Sequence, residues 1–157
     1  MDRLLNMSDD IWENSIIPSL SEFIAIKALS PLFEPDWREL GELDAAIDLF
    51  CKWVETQNLG GMTYSVHRIE DRSPVLLITV EGTGPGEIIF YSHLDKQPSK
   101  PELWSEGLGP LRAVRRDPWL FGRGSIDDGY GGYLCVAALQ ILQNSNIPHP
   151  KLSLIHI

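Results

Sequence analysis

Long apolar runs are missing from this chain. No window approaches the roughly 20 apolar residues needed to cross a bilayer, and the opening stretch, MDRLLNMSDD, carries no apolar core of a secretory signal. No membrane partner is expected, and the cytoplasm is the expected location. Basic residues are scarce as well: 13 lysines and arginines stand against 22 acidic side chains, a formal net charge of -9. A phosphate backbone would meet net repulsion and few basic clusters, so nucleic acid is not an expected partner. The only two cysteines, Cys51 and Cys135, lie far apart inside apolar helical patterns. That argues against a disulfide framework and for core thiols in a reducing compartment. Repeats and low-complexity segments are absent.

What the chain does have is enough apolar side chain to build a core. Its 157 residues are 43% hydrophobic and include five tryptophans, a size and composition that fit about one globular domain. From Ser8 to about Leu29 apolar residues recur at helical spacing, with Ser8 as the expected N-cap and Pro18 as an expected kink or break. A second helical pattern runs from Leu40 to Val54 and ends near Asn58-Leu59-Gly60-Gly61. The pattern then changes to strands: MTYSVHRI alternates, SPVLLITVEG reads as buried, and EIIFYSH follows a TGPG turn. Residues 96–117 form a proline-bearing loop, PWLF reads as a short strand, DGYGGYLCVAALQILQN as a helix, and a last strand begins near Leu152. Helices and strands in this order predict an α/β fold with a mixed sheet flanked by helices.

Two loops carry the chemistry. In FYSHLDKQPSK, strand alternation sends His93 and Asp95 to one side of a strand end, where α/β sheets bind ligands. A neutral imidazole is a common zinc ligand, and a carboxylate beside it fixes its tautomer. Alone such a pair is more often a surface ion pair or a satisfied structural histidine. In LFGRGSIDDGYGG, Gly122 and Gly124 permit a tight path, Arg123 is placed to hold a carboxylate or carbonyl, and Asp127-Asp128 sit at a helix start, where they also fit as simple capping residues. The stretch lacks the third glycine of a dinucleotide loop and the G-K-[ST] of a phosphate loop, and calcium-loop spacing is absent.

Together, SHLDKQP, Trp104 in the following loop and LFGRGSIDDG resemble the M20 family of dinuclear zinc peptidases. That family includes carboxypeptidase G2-like enzymes, acetylornithine deacetylases, succinyl-diaminopimelate desuccinylases and carnosinase-like dipeptidases, and the GRGSIDD wording is most similar to the last. The resemblance covers about Glu87 to Gln143. It implies a zinc-peptidase-like α/β/α fold in which His93 binds one metal ion, Asp127 bridges two, and Asp95 is the catalytic acid orienting His93. Arg123 and Asp128 would support the site, and the Asp127-Asp128 peptide bond would be cis. The implied cofactor is two Zn(2+) per site, with Co(2+) or Mn(2+) also suited to these ligands.

The implied function is hydrolysis of peptide or amide bonds in dipeptides or N-acyl amino acids by metal-activated water, with a homodimer as the implied assembly. The family's Glu-Glu pair would fall just after residue 157, beyond KLSLIHI. Residues 1–157 are therefore expected to be the N-terminal part of a catalytic domain, without its general base, lid domain and C-terminal half, and inactive alone. A non-catalytic metal- or partner-binding domain on the same scaffold is the alternative. Glu81, Glu87, Glu102 and Glu106 have no spacing that recommends them as a substitute base, and His67, His149 and His156 are expected to be structural or surface residues. Two departures from the dipeptidase pattern stand out. Gly129-Tyr130 replace the usual Lys-Gly, and Lys96 occupies a position that is often apolar, which suggests an altered charge at the approach to the site.

Overall fold

A computed structural model of the protein describes residues 2–156. The chain opens with α1 (Asp2–Ile11), a π-helical turn (Trp12–Ile16) and α2 (Ile17–Ala25) in one continuous path. Ser8 lies inside α1 rather than capping it, because the helix already begins at Asp2. Pro18 does not break the path. Its missing N–H falls at the first turn of α2, where the register is already shifting from the π turn: the Ile17 N–H bonds back to the Trp12 carbonyl. The helix stops at Ala25, four residues short of the expected end, because Ile26 is extended.

A short α3 (Trp37–Leu40) leads through Gly41 into α4 (Glu42–Thr56), and strands β1 (Met62–His67), β2 (Val75–Val80) and β3 (Glu87–Ser92) follow. Past a 3-10 turn, β4 (Val114–Arg116) and β5 (Trp119–Phe121) form a small hairpin, then α5 (Gly129–Asn144) crosses over to β6 (Lys151–His156). The main sheet has the order β1-β2-β6-β3, with β6 antiparallel to β2 and parallel to β3. The expected α/β class, a mixed sheet flanked by helices, is the one observed. The hairpin is longer than expected, because Val114–Arg116, which read as loop, pairs with the PWLF strand. Arg115 ties it to the π turn through two hydrogen bonds to Glu13, 2.9 and 2.8 Å.

The core lies between the helices and one face of the sheet. Leu76, Ile78 and Val80 of β2 and Leu152 and Leu154 of β6 are buried against Leu20 and Phe23 of α2, Phe50 and Val54 of α4 and Val136 of α5. Tyr133 is fully buried at the centre, edge-on to Phe50 at 5.0 Å. Its hydroxyl pairs with Ser19 at 2.9 Å, which removes the cost of burying it unpaired. Cys51 is buried and free, its thiol pushed up to about 11 chiefly by burial. It behaves as the core thiol expected. Among the described residues no helix is long and apolar enough to cross a membrane.

Candidate metal centre

The residues expected to form a site meet at the C-terminal end of β3, which among the described residues is an edge strand paired with β6. Regular pairing ends at Ser92, one residue before His93, yet the alternation persists for another turn of the pleat. Ser92, Leu94 and Lys96 are buried, while His93 and Asp95 face outward. A single parallel bridge between Lys96 and Leu29 keeps this extension straight.

His93 sits between two carboxylates. Its Nδ1 lies 3.1 Å from Asp95 Oδ1 and 3.0 Å from the Asp95 carbonyl oxygen. Both partners only accept, so a proton on Nδ1 satisfies them, which in the neutral imidazole leaves Nε2 as the donor nitrogen for a metal. Nε2 faces Asp127 Oδ1 at 3.5 Å. Two donors that share one ion at about 2.0–2.1 Å each, at an angle somewhat above tetrahedral, stand roughly this far apart. The side chains fit a divalent cation in chemistry and spacing. Two donors do not close a site of about four, and no group of three His, Cys, Asp or Glu side chains converges among the described residues.

Asp127 reaches His93 through the loop after β5, and the Asp127-Asp128 peptide bond is cis. Asp128 occupies the N-cap position of α5, but its side chain makes no capping bond. Its Oδ2 instead accepts the His93 backbone N–H at 3.3 Å, and its carbonyl accepts the Ser92 hydroxyl at 3.3 Å. Asp128 thus clamps the end of β3 to the start of α5, which brings the two motifs together. Arg123 donates to Asp127 Oδ2 at 3.4 Å, placing a positive charge beside the exposed carboxylate.

The glycines of the second motif answer to α2. Gly124 has φ +88, and a Cβ there would come within 2.8 Å of the Phe23 ring and 2.9 Å of the Lys96 side chain. A Cβ on Gly129 would stand 2.2 Å from Phe23. The glycine at 129, where dipeptidases carry lysine, is therefore a packing requirement in this chain.

Lys96 corrects the expectation of an altered charge at the approach. It is only 2% exposed and points away from His93, under the C-terminal end of α2. Its Nζ donates to the carbonyls of Phe23 (2.8 Å), Ile24 (3.2 Å) and Ile26 (2.5 Å) and lies 4.2 Å from the centre of the Phe23 ring. It thereby satisfies carbonyls that the helix end leaves open. Burial, with Arg123 acting the same way, pulls its ammonium down to about 7, while the carbonyls and the ring favour the charged form. The physical cause was available in the spacing: if His93 and Asp95 face the site, position 96 must face the opposite way.

The other acids and histidines lie elsewhere. Glu87 accepts from Ser153 at 3.0 Å and Glu81 pairs with Lys151 at 3.5 Å, both at the far end of the sheet from His93. Glu102 and Glu106 are exposed on the loop. His67 is exposed beside Ser65, and His149 is buried against Gln143. The His156 side chain lies outside the described residues.

The edge strand thus brings a histidine-carboxylate pair to within 3.5 Å of a second aspartate on an α/β domain. Residues 89–157 match the sequence profile of Peptidase family M20/M25/M40, so the resemblance carried by the two motifs holds. No curated protein sequence matches the chain. Among solved structures, human carnosine dipeptidase 1 superposes with a TM-score of 0.72 at 20% identity, covering 99% of this chain and 34% of that one. The di-peptidase Dug1p from Saccharomyces cerevisiae gives 0.73 at 17% identity over 98% and 33%. The M20 family metallo-carboxypeptidase Sso-CP2 from Sulfolobus solfataricus gives 0.74 at 19% identity over 92% and 30%. At these identities the likeness is one of fold. The chain spans about a third of the length of these relatives.

Proposed function

We propose that these residues are the N-terminal portion of the catalytic domain of a metal-dependent peptidase or amidase that acts on dipeptides or N-acyl amino acids. The observation that carries the proposal is the Nε2 of His93 facing Asp127 at 3.5 Å while Asp95 lies against Nδ1. His93 would hold one divalent ion and Asp127 would lie between two, its negative charge offsetting their mutual repulsion. Asp95 fixes the imidazole tautomer and so positions the donor nitrogen. Asp128 fixes the backbone of His93, and Arg123 steadies Asp127. When bound, a zinc pair supplies Lewis acidity toward an amide carbonyl and activates water, with cobalt or manganese able to serve on the same ligands.

The fold relatives of this chain support the substrate class through their names alone, as dipeptidases and a carboxypeptidase. The general base and the remaining donors would come from polypeptide beyond these 157 residues, so the isolated chain should bind metal weakly and hydrolyse nothing. We place the full polypeptide in the cytoplasm, as a homodimer.

The test is cobalt binding, followed by its visible absorption, in this chain and in the longest polypeptide that contains it, together with hydrolysis of dipeptides and N-acetyl amino acids by the latter. Asp127→Ala should abolish both binding and hydrolysis. Unchanged metal content in Asp127→Ala would remove the assignment. Metal binding by the long polypeptide without any hydrolysis would favour a non-catalytic domain on the same scaffold.

A further inference from the structure

Three large apolar side chains stand in water beside the candidate metal centre. Leu32 is 82% exposed, Tyr91 62% and Phe33 45%. Scattered singly, such residues need no explanation. These three line one cavity of about 290 Å³, and His93 and Asp95 line it with them.

Two strips of chain build the cavity. Tyr91, His93, Asp95 and Gln97 share one parity of β3 and its extension, so they form a single outward row. Beside that row runs the segment from Ala28 to Phe33, fastened to the same extension. The Lys96 N–H donates to the Ala28 carbonyl at 2.8 Å, and the Ser30 N–H donates to the Lys96 carbonyl at 2.9 Å. A tight turn then holds Leu32 and Phe33 in place: the N–H groups of Phe33 and Glu34 both donate to the Ser30 carbonyl, at 2.8 and 3.1 Å, and Lys27 pairs with Glu34 at 3.2 Å. The apolar wall and the histidine therefore hang on one strand. Among the described residues that line the cavity, the basic one, Lys96, turns its ammonium under α2, where it offers nothing to an acidic group. The volume lies at the lower end of the roughly 300–1,000 Å³ of sites that take whole ligands, which suits one side chain and the amide next to it.

We infer that this cavity is a side-chain subsite, and that Leu32, Phe33 and Tyr91 make the enzyme prefer an apolar amino acid beside the amide cleaved at His93 and Asp127. The bond in question rests on the peptidase reading, whereas the pocket rests on the anchored turn and its exposed apolar residues. A leucine placed there takes its own apolar surface and that of the wall out of water together, and a glycine has no side chain to bury.

The experiment compares Leu-Gly, Gly-Leu and Gly-Gly as substrates of the longest polypeptide that contains this chain, with cobalt present, and reads kcat/KM. On one side of the bond leucine should be preferred to glycine at least about tenfold, the selectivity of added methylenes in an apolar pocket. Leu32→Asn and Phe33→Asn should each cut that preference about threefold or more, and the double variant should bring it close to one. Equal rates on the three dipeptides, or a preference that survives the double variant, would overturn the subsite and leave the peptidase reading standing. If none of the three is hydrolysed, the peptidase reading falls, and a metal-free titration of the isotope-labelled chain decides on the pocket. The methyl signals of Leu32 and the ring signals of Phe33 should then shift saturably with N-acetyl-leucinamide and stay in place with N-acetylglycinamide at equal concentration. No response, an equal response to both, or one spread over other exposed apolar residues such as Ile69 and Trp119 would remove the pocket as well.

Discussion

Residues 92–96 present two faces under opposite demands. The outward residues, His93 and Asp95, are partly exposed and hold each other by polar contacts. The inward residues, Ser92, Leu94 and Lys96, are buried against α2 and α5. Chemistry sits on one parity and anchorage on the other, and a shift of one residue would exchange them completely. The precision of the site therefore depends on side chains that never touch it.

Substitutions on the two faces should separate cleanly. His93→Ala is expected to have the largest effect, with cobalt binding lost in this chain, while thermal unfolding moves by less than about 1 kcal/mol, as for a partly exposed side chain. An equal loss of stability would mean that the two faces are not independent. Leu94→Ala should do the opposite. It should cost about 2–4 kcal/mol in chemical denaturation, as for other buried leucines, and leave the metal affinity of the folded fraction nearly unchanged.

Gly124→Ala should cost about 1–3 kcal/mol, since it combines a positive φ with a Cβ pressed on Phe23 and Lys96. A neutral result would show that α2 yields. The smallest effect per step of the perturbation is that of pH on Lys96. Burial holds its folded value near 7 against an ordinary 10.5. Between those values the unfolded chain carries a proton that the folded chain has lost. Stability should therefore rise with pH across this window and fall back as pH drops toward 7, by at most about 1.4 kcal/mol per pH unit. Lys96→Met should flatten that slope in urea titrations at several pH values. A slope that survives the substitution would assign it to other groups.

The sequence was most legible where one period rules. The helices around Phe50 and Val136 and the alternating β2 could be read from apolar spacing, and the two motifs named the residues that meet at the site. It was least legible where a long-range partner decides. The start of α1 at Asp2 was hidden because the helix buries Ile11 alone, at its far end, leaving little apolar signal to read. Val114–Arg116 carries two exposed arginines and is a strand only because β5 folds back on it. Asp128 reads locally as a cap, yet its carboxylate is taken by the backbone of a strand 35 residues earlier. Lys96 could have been placed by parity, although the charge alone pointed to solvent.

The strand order also governs when the site can exist. β6 lies between β2 and β3, so among the described strands the one that joins the two sides of the sheet comes after both. A nascent polypeptide that has emerged only as far as α5 already contains His93, Asp95 and Asp127, but β3 then has no neighbouring strand to align it. Parallel pairing across a helical crossover is intrinsically slow to form, and until it does an apolar edge strand stands open to other chains. The candidate ligands are present well before the geometry that brings them together. During synthesis, the arrival of β6 would set the moment at which His93 and Asp127 could first be aligned.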